Sequence, residues 1–367
     1  MIFSISTNGQ KTKKKPIINS VDFPDFSGPI QLTNLPYEHF FASYYGINSF
    51  SANERYATVL RTAIKDHLPN ENEPATLGLV DIKTKSFVTI AKTYAWNFQQ
   101  GCMAHWLSTN PDSLIIYNDL REGKFVSVIL NVHTKKEKKV IPYPISAVSP
   151  NGKEAISINF SRLRASRDSY GYAGNGQESK INKPYPKDDG LFLVNLENGV
   201  AKLIVSIQDI KKYVPEIKEN RIAYFNHTLF SRKGSKIFWL SRAKPIGINT
   251  TAFTVNRNGT NLKQCFPDGW GGSHFDWLND KVLMVSAKYN KRMYGHIIFD
   301  VDKKNYRRLG KGLLDYDGHG TFSPDKKWMV TDTYPKNEMK EQKIYLMDMK
   351  TEAVISLGRI QNDETYK

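Results

Sequence analysis

Three histidines recur at one place in a repeated sequence pattern. His227, His274 and His319 each follow a small or polar residue and precede a turn and an apolar strand, at intervals of 47 and 45 residues. Neutral imidazole nitrogens bind Mn, Fe, Co, Ni or Zn, so three in register could hold one divalent cation. The alternative is that each histidine joins neighbouring strands through hydrogen bonds. Because three positions agree, we expect a metal or catalytic site.

Residues 94–106, YAWNFQQGCMAHW, could add to such a site. Gln99 and Gln100 precede the first strand of another repeat, and a glutamine amide oxygen can complete a histidine ligand set. His105 lies near the same height and could contact a substrate. Strand alternation would equally allow His105 to point between two repeats.

A long polar segment, residues 161–189, interrupts the third repeat. Its side chains of interest are, in order, Arg162, Arg164, Arg167, Tyr170 and Tyr172. A planar guanidinium is a natural partner for a carboxylate, and tyrosines beside glycines suit a loop that stacks on a sugar ring. We expect Arg162 or Arg164 to bind substrate, with a solvent-exposed basic loop as the alternative.

The composition narrows the ligand class without identifying a ligand. The formal net charge is +16, which attracts polyanions such as nucleic acid, anionic lipid or acidic polysaccharide. The sequence contains no zinc finger, helix-turn-helix or RNP motif, so we expect no specific nucleic-acid binding. It also lacks a glycine-rich phosphate loop, a nucleophile elbow and a C-x-x-C pair.

The elements that position these residues are short strands. Turn-and-strand units recur, and each is followed by hairpins such as QKIYLMDMKTEAVISLG, so four short strands occur every ~40–50 residues, as in a β-propeller. Six blade signals are clear, and they start near residues 45, 99, 144, 226, 273 and 318. We predict an all-β propeller of four-stranded blades, almost without helix, in which equivalent first-strand residues converge on a central channel.

The chain organisation is expected to be simple. We predict a basic tail at 1–20, one propeller domain at 21–360 and a short tail at 361–367. Cys102 and Cys265 are too few for a disulfide framework, so we expect two reduced, partly buried thiols. No stretch reaches the ~18 apolar residues of a spanning helix, and the N-terminus lacks the order of a secretory signal. We therefore expect a cytoplasmic protein that does not enter a membrane.

Several segments together resemble a known family. NHTLFSRKG, GGSHFDWLND and GHGTFSPDKKWMVTDTYP, with WNFQQG and SRLRASRDSYGYAG, resemble oligogalacturonate lyases of the seven-bladed propeller type and related TolB-like bacterial propellers. The resemblance covers residues 25–360 and implies a seven-bladed ring, although only six blade signals are clear. It also implies a divalent cation, typically Mn, that binds the uronate carboxylate while a histidine removes the C5 proton.

Carried over by motif, the resemblance assigns roles to individual residues. It makes His274 and His319 metal ligands, His227 a third ligand or the general base, Gln99 or Gln100 a further ligand, and Arg162 or Arg164 a substrate clamp. The expected function is metal-dependent β-elimination on acidic oligosaccharides, with Tyr170, Tyr172 and His105 against the sugar. The alternatives are a non-catalytic scaffold for a protein or polyanion, or another glycan-processing activity at the same site.

Overall fold

The structure is a computed structural model that describes residues 30–33, 37–64, 66–214, 222–244, 250–267, 270–290, 293–335 and 341–361. The predicted basic tail at 1–20 lies outside the described residues, as does 362–367 of the predicted C-terminal tail. Within the described ranges, no helix is both long and apolar enough to cross a bilayer. Cys102 and Cys265 are both free and buried, as expected.

Twenty-four strands form six four-stranded antiparallel sheets in the described part of the chain, which we call blades 1 to 6. Blade 1 contains β1–β4, at Glu38–Phe41, Tyr56–Thr62, Ala75–Asp81 and Phe87–Thr93. Blade 2 contains β5–β8, at His105–Trp106, Leu114–Arg121, Lys124–Asn131 and Lys136–Ile141. Blade 3 contains β9–β12, at Ala147–Val148, Glu154–Ser157, Gly190–Asn195 and Ala201–Ser206.

The remaining strands build three more blades of the same pattern. Blade 4 contains β13–β16, at Ile222–Phe230, Lys236–Lys244, Thr251–Asn256 and Lys263–Gln264. Blade 5 contains β17–β20, at Gly271–Trp277, Val282–Asn290, Met293–Asp300 and Tyr306–Leu309. Blade 6 contains β21–β24, at Thr321–Phe322, Trp328–Asp332, Glu341–Asp348 and Val354–Gln361. The last strand therefore includes Gln361, which the sequence assigned to the tail.

The all-β propeller of four-stranded blades is confirmed, but the seven-bladed type is wrong for the described residues, which form six blades. Every blade consists of four strands that are consecutive in the chain, so no described sheet mixes strands from the two ends. The six sequence signals find the six blades. The largest offset is seven residues, between the signal near 45 and the start of β1 at Glu38.

Asx turns close the outer hairpin of five blades. An Asp or Asn at the end of the third strand accepts hydrogen bonds from backbone N–H groups two and three residues later, as Asp81 does from Lys83 and Thr84 at 2.9 and 3.0 Å. The other four are Asn131, Asn195, Asp300 and Asp348. This local chemistry explains the Asp-x-Lys-Thr type sequences between strands. The backbone N–H groups of the turn have no strand partner, and the Asp or Asn side chain accepts their hydrogen bonds instead.

Two short helices accompany the strands. A 3₁₀ helix occupies Gln208–Tyr213. The helix α1, at Phe160–Ser166, was not predicted. The Asn159 side chain caps α1 by accepting from the Arg162 N–H at 2.8 Å, and Phe160 and Leu163 are buried in the neighbouring core. This helix opens the segment between β10 and β11, where the sequence placed an insertion in the third blade.

Five hydrophobic clusters join the six blades pairwise in chain order. Representative members from the two sides, from the interface of blades 1 and 2 to that of blades 5 and 6, are Leu60 and Val128, Ile116 and Val194, Ile156 and Trp239, Phe238 and Phe275, and Met284 and Met329. No cluster of the described residues joins blade 6 to blade 1. One face of blade 6 is therefore less covered: Val330 is 38% exposed, whereas its neighbour Met329 is fully buried.

This asymmetry predicts different costs for two adjacent truncations in β22. Met329→Ala opens a cavity in the core between blades 5 and 6 and should lower the free energy of unfolding by about 2–5 kcal/mol. Val330→Ala, on the other face, should cost less than about 1 kcal/mol. Chemical denaturation of both variants measures the difference. An equal cost for Val330→Ala would mean that this face is covered in solution.

Candidate active site at one end of the channel

The three histidines occupy equivalent positions of three inner strands. Each lies three residues before the last residue of the inner strand that pairs with the second strand. These last residues are Phe230, Trp277 and Phe322, which pair with Ile237, Leu283 and Met329. The corresponding pairs of blades 1 to 3 are Phe50 with Ala57, Trp106 with Ile115 and Val148 with Ala155. The same offset there gives Ile47, Met103 and Ile145. This level of the channel is therefore histidine on one half and apolar on the other.

Two of the histidines share an unusual backbone conformation. His227 has a φ of 55° and His274 a φ of 54°, and the strand register shifts at both residues. These are β-bulges, which re-aim a side chain at the rim of a sheet. A left-handed conformation of a non-glycine residue costs about 1–3 kcal/mol and tends to occur at functional sites. Met103, the equivalent residue of blade 2, has a φ of 53°, so this backbone conformation is not specific to histidine.

His274 and His319 form a close pair, and an aspartate holds each of them. Their ring centroids are 3.8 Å apart. The His274 Nδ1–H donates to Asp317 Oδ1 at 3.1 Å, and the His319 Nδ1–H donates to the two Asp332 carboxylate oxygens at 2.9 and 3.0 Å. A carboxylate on Nδ1 fixes the tautomer and leaves Nε2 as the basic nitrogen.

Tyr334 completes this cluster. Its hydroxyl lies 3.0 Å from His274 Nε2, and its ring centroid lies 5.5 Å from that of His319. Burial, and then the nearby charge of Asp317, raise the pKa of Tyr334 to about 12, so the hydroxyl keeps its proton at neutral pH. The Nε2 atom of His319 has no hydrogen-bond partner in the described ranges, and its side chain is 31% exposed. His319 is thus the more accessible imidazole.

Both aspartates stay ionised. Burial acts to raise the pKa of Asp317 and of Asp332, but hydrogen bonds from the histidines and their neighbours outweigh it, so both pKa values are lowered. An ionised carboxylate beside an imidazole stabilises the imidazolium that forms when the ring accepts a proton. The geometry therefore supports proton transfer at this cluster.

His227 has different surroundings. Its Nε2 is 2.7 Å from the Tyr44 hydroxyl, and its buried Nδ1 has no partner among the described residues. Burial, followed by the positive charges of Arg242 and its surroundings, lowers its pKa well below the ordinary value. His227 is therefore neutral at physiological pH, and the structure ties it to tyrosines rather than to carboxylates.

A tyrosine pair from blade 1 lies among the three histidines. The inner strand pairs with β2 as far as Phe41 and resumes pairing at Ser49, and the chain between them leaves the sheet. Tyr44 and Tyr45 lie on this excursion. The Tyr45 ring centroid is 6.3, 5.4 and 5.2 Å from those of His227, His274 and His319, and its hydroxyl accepts from the Phe275 N–H at 3.1 Å.

The predicted manganese ligands do not form a metal-binding set in this arrangement. In the described ranges no group of three or more histidine, cysteine, aspartate or glutamate side chains is placed to hold a metal ion. Gln99 is exposed, whereas Gln100 is buried and lines a 20 Å³ cavity beside Tyr44 and His227. That volume holds about one water molecule. The residues as placed do not fit the cation that the resemblance implied.

The arginine predicted as a substrate clamp or catalytic group has a structural environment instead. Arg162 is 1% exposed, and its guanidinium donates to backbone carbonyls. The acceptors at 2.6–3.0 Å are Ala223, Lys180, Lys183 and Pro184. Arg164 is half-buried and donates to the Asp168 carbonyl at 2.7 Å and the Pro69 carbonyl at 3.4 Å. Neither guanidinium contacts the three histidines, so Arg162 fastens the insertion to blade 4.

The predicted sugar-binding residues separate into three environments. Tyr170 belongs to the histidine site, since its ring is 5.8 Å from that of His227. Tyr172 is buried, stacks on Phe160 at 4.3 Å and accepts a hydrogen bond from Asn118 at 2.8 Å. It is therefore a core residue.

His105 lies away from the three histidines. It donates through Nδ1 to the Met103 carbonyl at 2.7 Å, and burial lowers its pKa to about 4. It lines a 320 Å³ pocket with Trp106 and Asp276, near the turns that follow the inner strands. His105 comes two residues after Met103, the equivalent of the three histidines, so it lies further along the inner strand, next to the last paired residue Trp106.

Sequence reasoning missed most partners of the histidines. Asp317 precedes and Tyr334 follows the hairpin of β21 and β22 in the sequence. Asp332 is the last residue of β22, where that strand comes back beside His319. Pairing the residues on either side of the turn at Ser323 would have predicted that Asp332 lies beside His319. Tyr44, Tyr45 and Arg242 carried no such signal, because their contacts cross between blades.

Comparison with solved structures supports the fold. An oligogalacturonate lyase in complex with manganese matches with a TM-score of 0.63 and 14% identity, covering 91% of this chain and 82% of that one. The oligogalacturonate lyase of Vibrio parahaemolyticus matches with a TM-score of 0.60 and 12% identity, covering 89% and 80%. TolB from Acinetobacter baumannii gives a TM-score of 0.47 and 13% identity, covering 84% and 64%.

At these identities the two lyase structures establish the propeller fold. No family model matches the sequence, and no curated protein matches it.

The two arginines of the insertion predict a contrast in stability. Arg162→Met removes the donor of the buried Ala223 carbonyl and of three carbonyls of the insertion, and it should lower the free energy of unfolding by about 3 kcal/mol. Arg164→Met, which removes half-buried contacts, should cost less than about 1 kcal/mol. Thermal unfolding and limited proteolysis of residues 167–189 measure the effect. If Arg162→Met is as stable as the parent but inactive, the arginine has the catalytic role that the sequence suggested.

Proposed function

We propose that the chain binds acidic oligosaccharides at the histidine end of its channel and cleaves them by β-elimination. The observation that carries this proposal is the pair of aspartate-held imidazoles, 3.8 Å apart, with the Tyr334 hydroxyl against one of them. A base and a proton donor on adjacent side chains are what an elimination needs. The net charge of +16 and the fold similarity to two oligogalacturonate lyases support an anionic sugar.

In the proposed reaction, His319 is the base. Its Nε2 removes the proton on C5 of a uronate residue, and Asp332 stabilises the imidazolium. The electrons of the C5–H bond form the C4–C5 double bond as the C4–O bond breaks. Tyr334 donates a proton to the departing oxygen, and its pKa of about 12 suits protonation of an alkoxide.

Manganese has no part in these steps. The resemblance implied a cation on the uronate carboxylate. In the structure, however, His227 is hydrogen-bonded to Tyr44, and the Tyr45 ring lies against all three imidazoles where they would have to converge on that cation. The charge of the carboxylate must still be neutralised for the C5 proton to become acidic. Cationic side chains of the protein have to supply that charge.

A substitution of the base tests the chemistry. His319→Ala should lower turnover of oligogalacturonides by about 10²–10⁴-fold, because general-base catalysis contributes that much. Added imidazole should restore part of the rate, which a purely structural role would not allow. The product is followed by the ultraviolet absorbance of the unsaturated sugar. His67→Gln is the matched control, since His67 is an exposed histidine that also contacts two carboxylates.

Two results would reject elimination. One is a parent protein that binds uronate oligomers but releases no unsaturated product from a panel of them, which would favour the non-catalytic scaffold. The other is a His319→Ala variant with the turnover of the parent.

Removal of metal gives a second test. Since no three ligands converge in the described structure, dialysis against EDTA should change the rate of product formation by less than about twofold. The measurement compares the dialysed enzyme with the same sample after addition of Mn²⁺. Loss of activity on dialysis, with recovery on adding Mn²⁺, would show that the three histidines rearrange around a cation.

A further inference from the structure

Two buried polar side chains of blade 4 lack the partners that burial normally requires. Asn226 is fully buried and Arg242 is 9% exposed. The Nδ2 and Oδ1 atoms of Asn226 and the Nε and Nη1 atoms of Arg242 are buried without a hydrogen-bond partner among the described residues. Buried polar groups are nearly always paired, so these four unpaired atoms call for an explanation.

The strand register places both side chains on one face of the sheet. Asn226 lies opposite Leu240, and Tyr224 lies opposite Arg242, in the pairing of β13 with β14. Residues opposite each other, or two apart along a strand, share a face. Asn226 and Arg242 therefore share one face of blade 4 with Leu240 and Tyr224. They lie next to the bulge at His227.

No aspartate or glutamate of the described residues forms an ion pair with Arg242. Besides burial, the groups that act most strongly on its pKa are tyrosines and another cation, namely Tyr224, Arg167, Tyr170 and Tyr44. An arginine does not escape this cost by losing its proton. A desolvated, unpaired cation is unfavourable, and an anion in contact with its free N–H groups removes the penalty.

The guanidinium also lies close to the channel. Its charge lowers the pKa of His227 and acts on both Tyr44 and Tyr45. Arg167, whose guanidinium lies 4.2 Å from the centroid of the Tyr170 ring, adds a second positive charge nearby. The blade 4 side of the site is therefore cationic, whereas the blade 5 and 6 side carries Asp317 and Asp332.

We propose that Arg242 and Asn226 form an oxyanion site that takes the carboxylate of a hexuronate. This assignment rests on the proposed function for the choice of a sugar acid as the ligand. A guanidinium binds a planar carboxylate through two parallel N–H groups, and the Asn226 amide supplies a further donor. The guanidinium would neutralise the carboxylate and so make the C5 proton more acidic. Arg242 would thereby take the role that a cation has in the family resemblance.

Binding of two monosaccharides tests this site without turnover. Galacturonate and galactose differ in the carboxylate, and neither has a glycosidic bond to break. The parent protein should bind galacturonate at least tenfold more tightly than galactose by isothermal titration calorimetry. Arg242→Met should lose that preference. It should also keep or raise the melting temperature of the free protein, because it removes an unpaired buried charge while retaining apolar volume.

Arg164→Met is the matched control and should retain the preference, since that guanidinium donates to carbonyls of the insertion. Equal binding of both sugars by the parent, or a galacturonate preference that survives in Arg242→Met, overturns the oxyanion site. So does the absence of galacturonate binding. A preference that Arg242→Met abolishes, together with no unsaturated product from oligomers, supports the oxyanion site and rejects the elimination.

Discussion

The inner strand of each blade places one residue at the same height of the channel, because all six blades repeat one pairing pattern. This constraint decides what the centre of the molecule can do. Blades 1 to 3 place Ile47, Met103 and Ile145 at that height, and blades 4 to 6 place three histidines. The apolar half gives the imidazoles a partly dry neighbourhood, in which hydrogen bonds and charges act more strongly than in water.

The tyrosine excursion of blade 1 follows from the same geometry. Without this excursion the Nε2 atom of His227 would lack its hydrogen-bond partner. Tyr44 provides a hydroxyl for His227, and the Tyr45 ring packs against all three histidines while its hydroxyl accepts from the backbone of blade 5. The site is thus organised by hydrogen bonds and ring contacts between residues of blades that are distant in sequence.

The fold could be predicted from the sequence because it is local and repeated. Turn residues, apolar alternation and a fixed period each identified the same six units. The histidine positions followed from the period as well. The number of blades was wrong because it came from the resemblance rather than from a seventh signal.

The contacts of the site could not be predicted in the same way. Asp332 reaches His319 across a hairpin and was within reach of register reasoning, but Tyr45 and Arg242 meet the histidines only through the closure of separate blades. The buried environment of Arg162 could not be predicted for a related reason. A loop arginine looks exposed in a sequence, and nothing local shows that the carbonyls of Ala223 and Lys180 will surround it.

The charges of the site are divided between its two sides, and this division orients a ligand. Arg242 and Arg167 lie toward blades 3 and 4, whereas Asp317 and Asp332 hold the imidazoles of blades 5 and 6. An acidic sugar would be repelled by the aspartates and attracted by the arginines, so its carboxylate and its C5 proton would face opposite sides. A neutral sugar would gain neither interaction. The separation of charge, more than the net charge of +16, is the feature that would distinguish an acidic substrate from other sugars.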